Sequence, residues 1–269
     1  MDKNKLYVIL MGGLGNQMFQ IQTAYVLSKK HDMDLIVLIK RDYKYIMQHN
    51  NSFNEYMNTV FTEFKYTYFE NVNLSNVCVY KEPKCFDYEP TFIQQKTDYL
   101  IIGYFQHKKY FHPEIIKIFK NEKICNELIT TFPKLKESYF IHFRLGDYTS
   151  AMYYNTYHFD KDKYYSTAIQ YILNINKDAH FYILSDDIEF IKSYPILNSL
   201  NKTLITGLDT VQSLYLMSLC HYGGICANST FSGWGATLND NKDKIVICPK
   251  QWIHVPYAYE IPFHHTISF

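Results

Sequence analysis

Short runs that are apolar almost without interruption recur along this chain, at residues 6–10 (L-Y-V-I-L), 35–39 (L-I-V-L-I), 139–143 (Y-F-I-H-F) and 181–184 (F-Y-I-L). A strand with one face in water alternates apolar and polar residues. These runs do not alternate, so both faces must be covered, as in a parallel sheet flanked by helices. Helical spacing lies between them: Met18, Ile21, Tyr25 and Ser28 after the first run, and Tyr165, Ala168, Ile169 and Ile172 after the third. Further strands at 203–205, 224–227 and 244–247, with a helix at 210–219, continue the rhythm. Such alternation predicts an α/β fold of two Rossmann-like parallel-sheet lobes with a cleft between them. The charged stretch 121–137, closed by Pro133, is the natural boundary, giving lobes 1–130 and 131–269. Residues 43–98 are placed only coarsely, with strand candidates at 77–80 and 100–102.

In open α/β sheets ligands bind beyond the carboxyl ends of strands. Four polar loops occupy such positions: 12–17, 142–148, 185–187 and 228–235. In the second, His142, Arg144 and Asp147 close the strand 139–143. A guanidinium can hold phosphate through paired hydrogen bonds and neutralise a departing diphosphate, or Arg144 and Asp147 can form a structural ion pair. In the first, Gly13, Gly15, Asn16 and Gln17 open a helix whose N–H groups suit a phosphate or a polar sugar. Met18 stands where a dinucleotide fingerprint needs a small residue, and no phosphate loop with Gly-Lys-Ser/Thr occurs. Asp186 and Asp187 follow the strand 181–184. Asn228, Ser229, Thr230 and Ser232 offer an amide and hydroxyls to diphosphate oxygens, or form an ordinary helix cap.

Composition narrows the partners. A net charge of +1 gives no reason to expect nucleic acid or an anionic membrane. No transmembrane-length apolar run and no signal-peptide pattern are found, so the expectation is a cytoplasmic protein. Six cysteines without a C-x-x-C pair read as free thiols. Asn228-Ser229-Thr230 matches a glycosylation acceptor, which has no use without secretion. Asp32 with Asp34, and Asp160 with Asp162, are spaced as metal ligands could be, but each pair suits a turn or a helix cap better; no metal is expected. His264 and His265 are expected in a solvated tail.

Five blocks carry a resemblance: G-G-L-G-N-Q-M-F-Q at 12–20, G-Y-F-Q-H-K-K-Y-F at 103–111, H-F-R-L-G-D-Y at 142–148, F-Y-I-L-S-D-D at 181–187 and A-N-S-T-F-S-G-W-G-A at 227–236. In this order they resemble glycosyltransferase family 11, the alpha-1,2-fucosyltransferases. The resemblance implies a GT-B architecture and inverting, metal-independent transfer from GDP-fucose to a sugar hydroxyl of a glycan. It implies no cofactor besides the nucleotide-sugar donor. Arg144 would hold the donor phosphates in the second lobe, and Gly15-Asn16 would face the donor from the first, the acceptor side.

Three departures qualify that picture. The family's second arginine is Leu145 here. Gln212-Ser213 stand where a carboxylate is expected to hold guanine, with Asp209 nearby, and Gly233 replaces the first tryptophan of S-W-W-G-A. Ser213, a donor-binding candidate, supplies no such charged acceptor, so a UDP- or dTDP-linked sugar such as rhamnose becomes an alternative donor, and a non-catalytic sugar-nucleotide-binding or glycan-binding role a further alternative. Asp147, His158 and Asp160 are the candidates for the base that deprotonates the acceptor. Replacing Arg144 is expected to lower turnover with little effect on stability.

Overall fold

The computed structural model describes residues 3–40, 53–89, 91–94 and 96–269. The chain divides into two compact units, Met1–Lys120 and Asn121–Phe269. Each is built on one sheet, and among the described residues the strands pair in parallel throughout.

The first unit runs β1 (Lys5–Ile9), α1 (Leu14–His31), β2 (Asp34–Ile39), α2 (Phe53–Thr59), β3 (Tyr66–Tyr68), β4 (Cys78–Lys81), β5 (Tyr99–Ile102) and α3 (Pro113–Ile118). Its strand order is β3-β2-β1-β5-β4. The chain builds outward from β1 on one side, then returns to the other, so the order reverses between β1 and β5. Helix α1 is buried on nearly all sides. Gln20 brackets Met11, accepting from its N–H at 2.9 Å and donating to its carbonyl at 3.2 Å. Part of the 43–98 region lies outside the described residues; the remainder adds β3, which no periodicity announced.

The second unit runs α4 (Glu122–Thr131), β6 (Ser138–Phe143), α5 (Tyr154–Tyr157), α6 (Lys161–Ile175), β7 (His180–Ser185), α7 (Ile188–Lys192), β8 (Lys202–Leu204), α8 (Thr210–Leu219), β9 (Gly223–Ile225), α9 (Thr230–Thr237), β10 (Ile245–Cys248) and β11 (Ile267–Ser268). The order β11-β10-β9-β6-β7-β8 reverses between β6 and β9. The expected linker 121–137 contains α4, which packs on α8, so the division falls at residue 120 and not at 130. The expected tail at 264–265 is also corrected. His264 and His265 are exposed, but they sit between buried Phe263 and β11, which pairs with β10.

All residues of β6 are buried. Its neighbour β9 approaches closely because Gly224 lies opposite Phe140, and a Cβ there would come 2.4 Å from the Phe140 carbonyl oxygen. Two buried tyrosines of α6 donate to carbonyls in or next to the strands. Tyr165 donates to His142 at 2.8 Å, and Tyr164 to Cys226 and Ile247 at 2.7 and 3.1 Å. None of the six cysteines is in a disulfide. Among the described residues no helix is long and apolar enough to cross a membrane.

Gly233 explains one sequence departure. A Cβ at this position in α9 would lie 2.2 to 2.7 Å from the Phe263 ring, which is fully buried and packs edge-on to Trp234 at 6.0 Å. Phe263 thus fills the space that a side chain at 233 would need. Gly233→Ala should destabilise the protein by about 2 kcal/mol through overpacking, and adding Phe263→Leu should recover part of that loss. Urea unfolding of the two single variants and the double variant measures the coupling.

Candidate active site

Both reversal points carry the polar loops expected of ligand sites. In the second unit, β6 and β7 run in parallel register with Phe143 beside Ser185, so the next residues, Arg144 and Asp186, emerge side by side. Arg144 Nη1 lies 2.8 Å from Asp186 Oδ2, and Nη2 lies 2.6 Å from Asp147 Oδ1. The other Asp186 oxygen accepts from the Leu145 N–H at 2.8 Å. The guanidinium also lies 5.4 Å from the centroid of the Tyr148 ring. All three charged side chains are mostly buried, at 15% exposed for Arg144, 16% for Asp147 and 9% for Asp186. Burial pushes the Asp147 carboxyl up, Arg144 opposes that, and Asp186 adds to it.

The open choice between a phosphate-binding arginine and a structural ion pair therefore acquires a third member. Arg144 is oriented by two carboxylates from two strands, and it is held at the strand ends, not within the core. A second cation adjoins the cluster. Lys161, the first residue of α6, lies 5.7 Å over the Phe159 ring; burial lowers its pKa, while Asp162 and Asp186 oppose that shift. Sequence reading took residues 160–162 as a carboxylate pair and passed over the lysine between them.

Around this cluster the remaining candidates divide. His142 is 5% exposed, and its ring lies 5.5 Å from that of Phe231 in the first turn of α9. Ser229 caps α9, accepting from Phe231 N, with Thr230 as the first helical residue. Asn228 ties two segments together, donating from Nδ2 to the carbonyls of Tyr157 and Trp252, both at 3.0 Å. It is 2% exposed, which removes it as a glycosylation acceptor. Ser232 is fully buried with its hydroxyl turned to the Ala227 and Ser229 carbonyls, so it braces the loop and is not available to a diphosphate. Asp187 caps α7 through Phe190 N, and Asp160 caps α6 through Lys163 N. His158 is exposed, stacks on Tyr154, and accepts at its carbonyl from His254 Nε2 at 2.7 Å.

Ser213 is half-buried on α8. Asp209, the acid nearest to it in sequence, forms a capping box with Gln212 at the start of that helix. Asp32 sits at the C-cap of α1, paired with Lys3, and Asp34 begins β2. No group of three His, Cys, Asp or Glu side chains suited to a metal occurs among the described residues.

In the first unit, the turn after β1 meets the loop after β5. Gly12 has φ +74°, and a Cβ there would lie 2.6 Å from Asn16 Nδ2. Gly13 is the N-cap of α1 without a side-chain cap, and the space where its Cβ would project is open. Gly15 is buried within α1. Gln17 donates to the Gly12 carbonyl at 2.8 Å, so it shapes the turn. Asn16 accepts at Oδ1 from Gln106 Nε2 at 2.9 Å, joining two of the sequence blocks 90 residues apart.

The ion-pair cluster changes the expectation for Arg144. Arg144→Ala leaves two largely buried carboxylates without their cation, so stability should fall by roughly 2–3 kcal/mol, allowing for partial exposure. Turnover should fall by about two to three orders of magnitude. Arg144→Lys should recover much of the stability but little of the rate, because an ammonium cannot reproduce the planar fork. Thermal unfolding and initial rates on the two variants separate these effects.

A family model described as glycosyl transferase family 11 matches residues 33–260. The chain is 28% identical to the O-antigen biosynthesis glycosyltransferase WbnK of Escherichia coli, over 92% of this chain and 94% of that protein. It is 29% identical to an Escherichia coli alpha-1,2-colitosyltransferase over 90% of each. Its fold is similar to that of the NodZ alpha-1,6-fucosyltransferase co-crystallised with GDP, with a TM-score of 0.56 at 8% identity, over 88% of this chain and 93% of that one; NodZ is from Bradyrhizobium. Two parallel-sheet units of this kind are the GT-B-like architecture expected from the sequence. With a family model spanning most of its length and glycosyltransferases as its full-length relatives, this chain belongs to glycosyl transferase family 11 and is a fucosyltransferase-like glycosyltransferase.

Proposed function

We propose that the enzyme transfers a 6-deoxyhexose, L-fucose by default, from a GDP-linked donor to a sugar hydroxyl of a glycan, with inversion and without a metal. The observation that carries this reading is the placement of Arg144, oriented by Asp147 and Asp186 at the reversal point of the second sheet, with the first turn of α9 close to His142. A guanidinium fixed in this way costs little reorganisation when charge develops on a leaving diphosphate. Family membership and the relative named an alpha-1,2-colitosyltransferase support a transfer of this class. The fold neighbour co-crystallised with GDP agrees with the choice of base.

In the proposed step the acceptor oxygen bonds to the anomeric carbon as the bond from that carbon to the diphosphate oxygen breaks. The bonding pair leaves with GDP, and the acceptor proton passes to a base. In-line displacement puts that base on the face of the sugar opposite the leaving group. Asp147, 2.6 Å from Arg144, is on the leaving-group side, and Asp160 is occupied as a helix cap. His158 is taken as the base in this reading.

A second reading concerns the base of the donor. Asp209 already accepts from Gln212 N at 2.7 Å, which weakens its claim to replace the missing guanine-binding carboxylate and favours a UDP- or dTDP-linked donor. Calorimetric titration with GDP, UDP and dTDP in the presence of EDTA decides between the two. GDP binding at least about tenfold tighter than either pyrimidine diphosphate, the margin that a retained charge-assisted base contact of roughly 1–3 kcal/mol supplies, is the outcome expected of the GDP assignment. A clear UDP or dTDP preference would overturn the GDP assignment, and binding or transfer abolished by EDTA would overturn the metal-free one.

A further inference from the structure

Glu82, just beyond β4 in the first unit, plays no part in the sequence blocks, yet its surroundings are built around it. Its carboxylate accepts from the Tyr104 N–H at 2.7 Å and from the Phe105 N–H at 3.0 Å. Those two amides begin the loop that follows β5. Gly103 must lack a side chain because a Cβ there would lie 2.4 Å from Glu82 Cβ. Phe105 is held at φ +53°, a left-handed conformation unfavourable for an aromatic residue, with its ring fully buried. The next residue, Gln106, is the one that donates to Asn16 beside the glycine turn.

We infer that Glu82 is a positioning residue: by accepting from the Tyr104 and Phe105 amides it holds the 103–106 loop so that Gln106 stays on Asn16, keeping the substrate-binding face of the first unit in its working arrangement. This rests on the reading that the glycine turn binds substrate.

The device is sensitive to pH. Burial pushes the Glu82 carboxyl up to about 7, with Asp87 adding to the shift and the two amides opposing it. The other titratable groups that interact with it are Tyr80, Cys85 and Tyr110, while Glu89 and Tyr88 stand next to these. Because the folded value lies above the ordinary value of a carboxyl, the native state binds the extra proton between about pH 4.5 and 7, and stability falls as pH rises through that window. Ionised Glu82 is therefore retained at a cost to stability. Its return is the hold on the loop: both amides reach Oε2, and because they oppose the upward shift, ionisation strengthens their bonds, so the hold is firmest above about pH 7.

Two measurements test this. Hydrogen exchange of the Tyr104 and Phe105 amides in the intact protein, corrected for intrinsic rate, should show at least fivefold lower protection at pH 6 than at pH 8. The ratio of kcat to KM for the acceptor should fall over the same range, mainly through KM. In Glu82→Gln the limb near pH 7 should disappear, with KM at pH 8 matching that of the native enzyme at pH 6. Protection unchanged across this range, or a pH limb that persists in Glu82→Gln, overturns the inference. The exchange measurement needs no variant and no turnover, so its outcome is independent of whether the proposed reaction is correct.

Discussion

The parallel pairing of β6 with a neighbour on each side is the constraint on which the second unit depends. A strand buried on both faces has to satisfy its backbone through its neighbours, and here β7 and β9 do so. From α6, Tyr165 adds a hydroxyl donor to the His142 carbonyl of β6, and Tyr164 one to the carbonyls of Cys226, just after β9, and Ile247 of β10. The strand ends are thereby fixed without being closed over by more sheet. Side chains that need a rigid base, Arg144 foremost, project from there.

The same arrangement determines the electrostatics. A lone buried guanidinium would be costly, and a lone buried carboxylate more readily takes up a proton. Placing Arg144 between Asp147 and Asp186 makes each acceptable to the fold, while burial, with Asp186 adding to it, still pushes the Asp147 carboxyl up against the pull of Arg144. Arrival of an anionic diphosphate would raise the Asp147 carboxyl further. In the first unit Glu82 faces a comparable tension without a cation, since two amides oppose its burial only in part.

The departures from the family pattern differ in consequence. Gly233 is matched by Phe263, which occupies the space above it, so the change is absorbed by packing. Leu145 is 5% exposed and belongs to the core cluster of β6, α6 and β7, so this position adds apolar packing and contributes no charge. Ser213 has no such counterpart: Asp209, its acidic neighbour in sequence, is engaged at the helix cap.

Much of this protein was legible in its sequence because local physics wrote it there. Uninterrupted apolar runs of this length suit strands covered on both faces, and polar loops after them suit strand ends, so the α/β class and most strands followed. The helix at 210–219 was read to the residue because its cap and apolar spacing are both local signals. What the sequence could not show were partners fixed by register and long-range packing. Asp186 meets Arg144 only because β7 aligns with β6, Gln106 meets Asn16 from 90 residues away, and Phe263 fills the place of a missing side chain from beyond β10. The structure also shows Ser232 and Asp187, candidates for binding, and Asp160, a candidate base, engaged as brace and caps. Residue types that suit a ligand also suit a helix terminus, and only the position of the backbone decides which need each one meets.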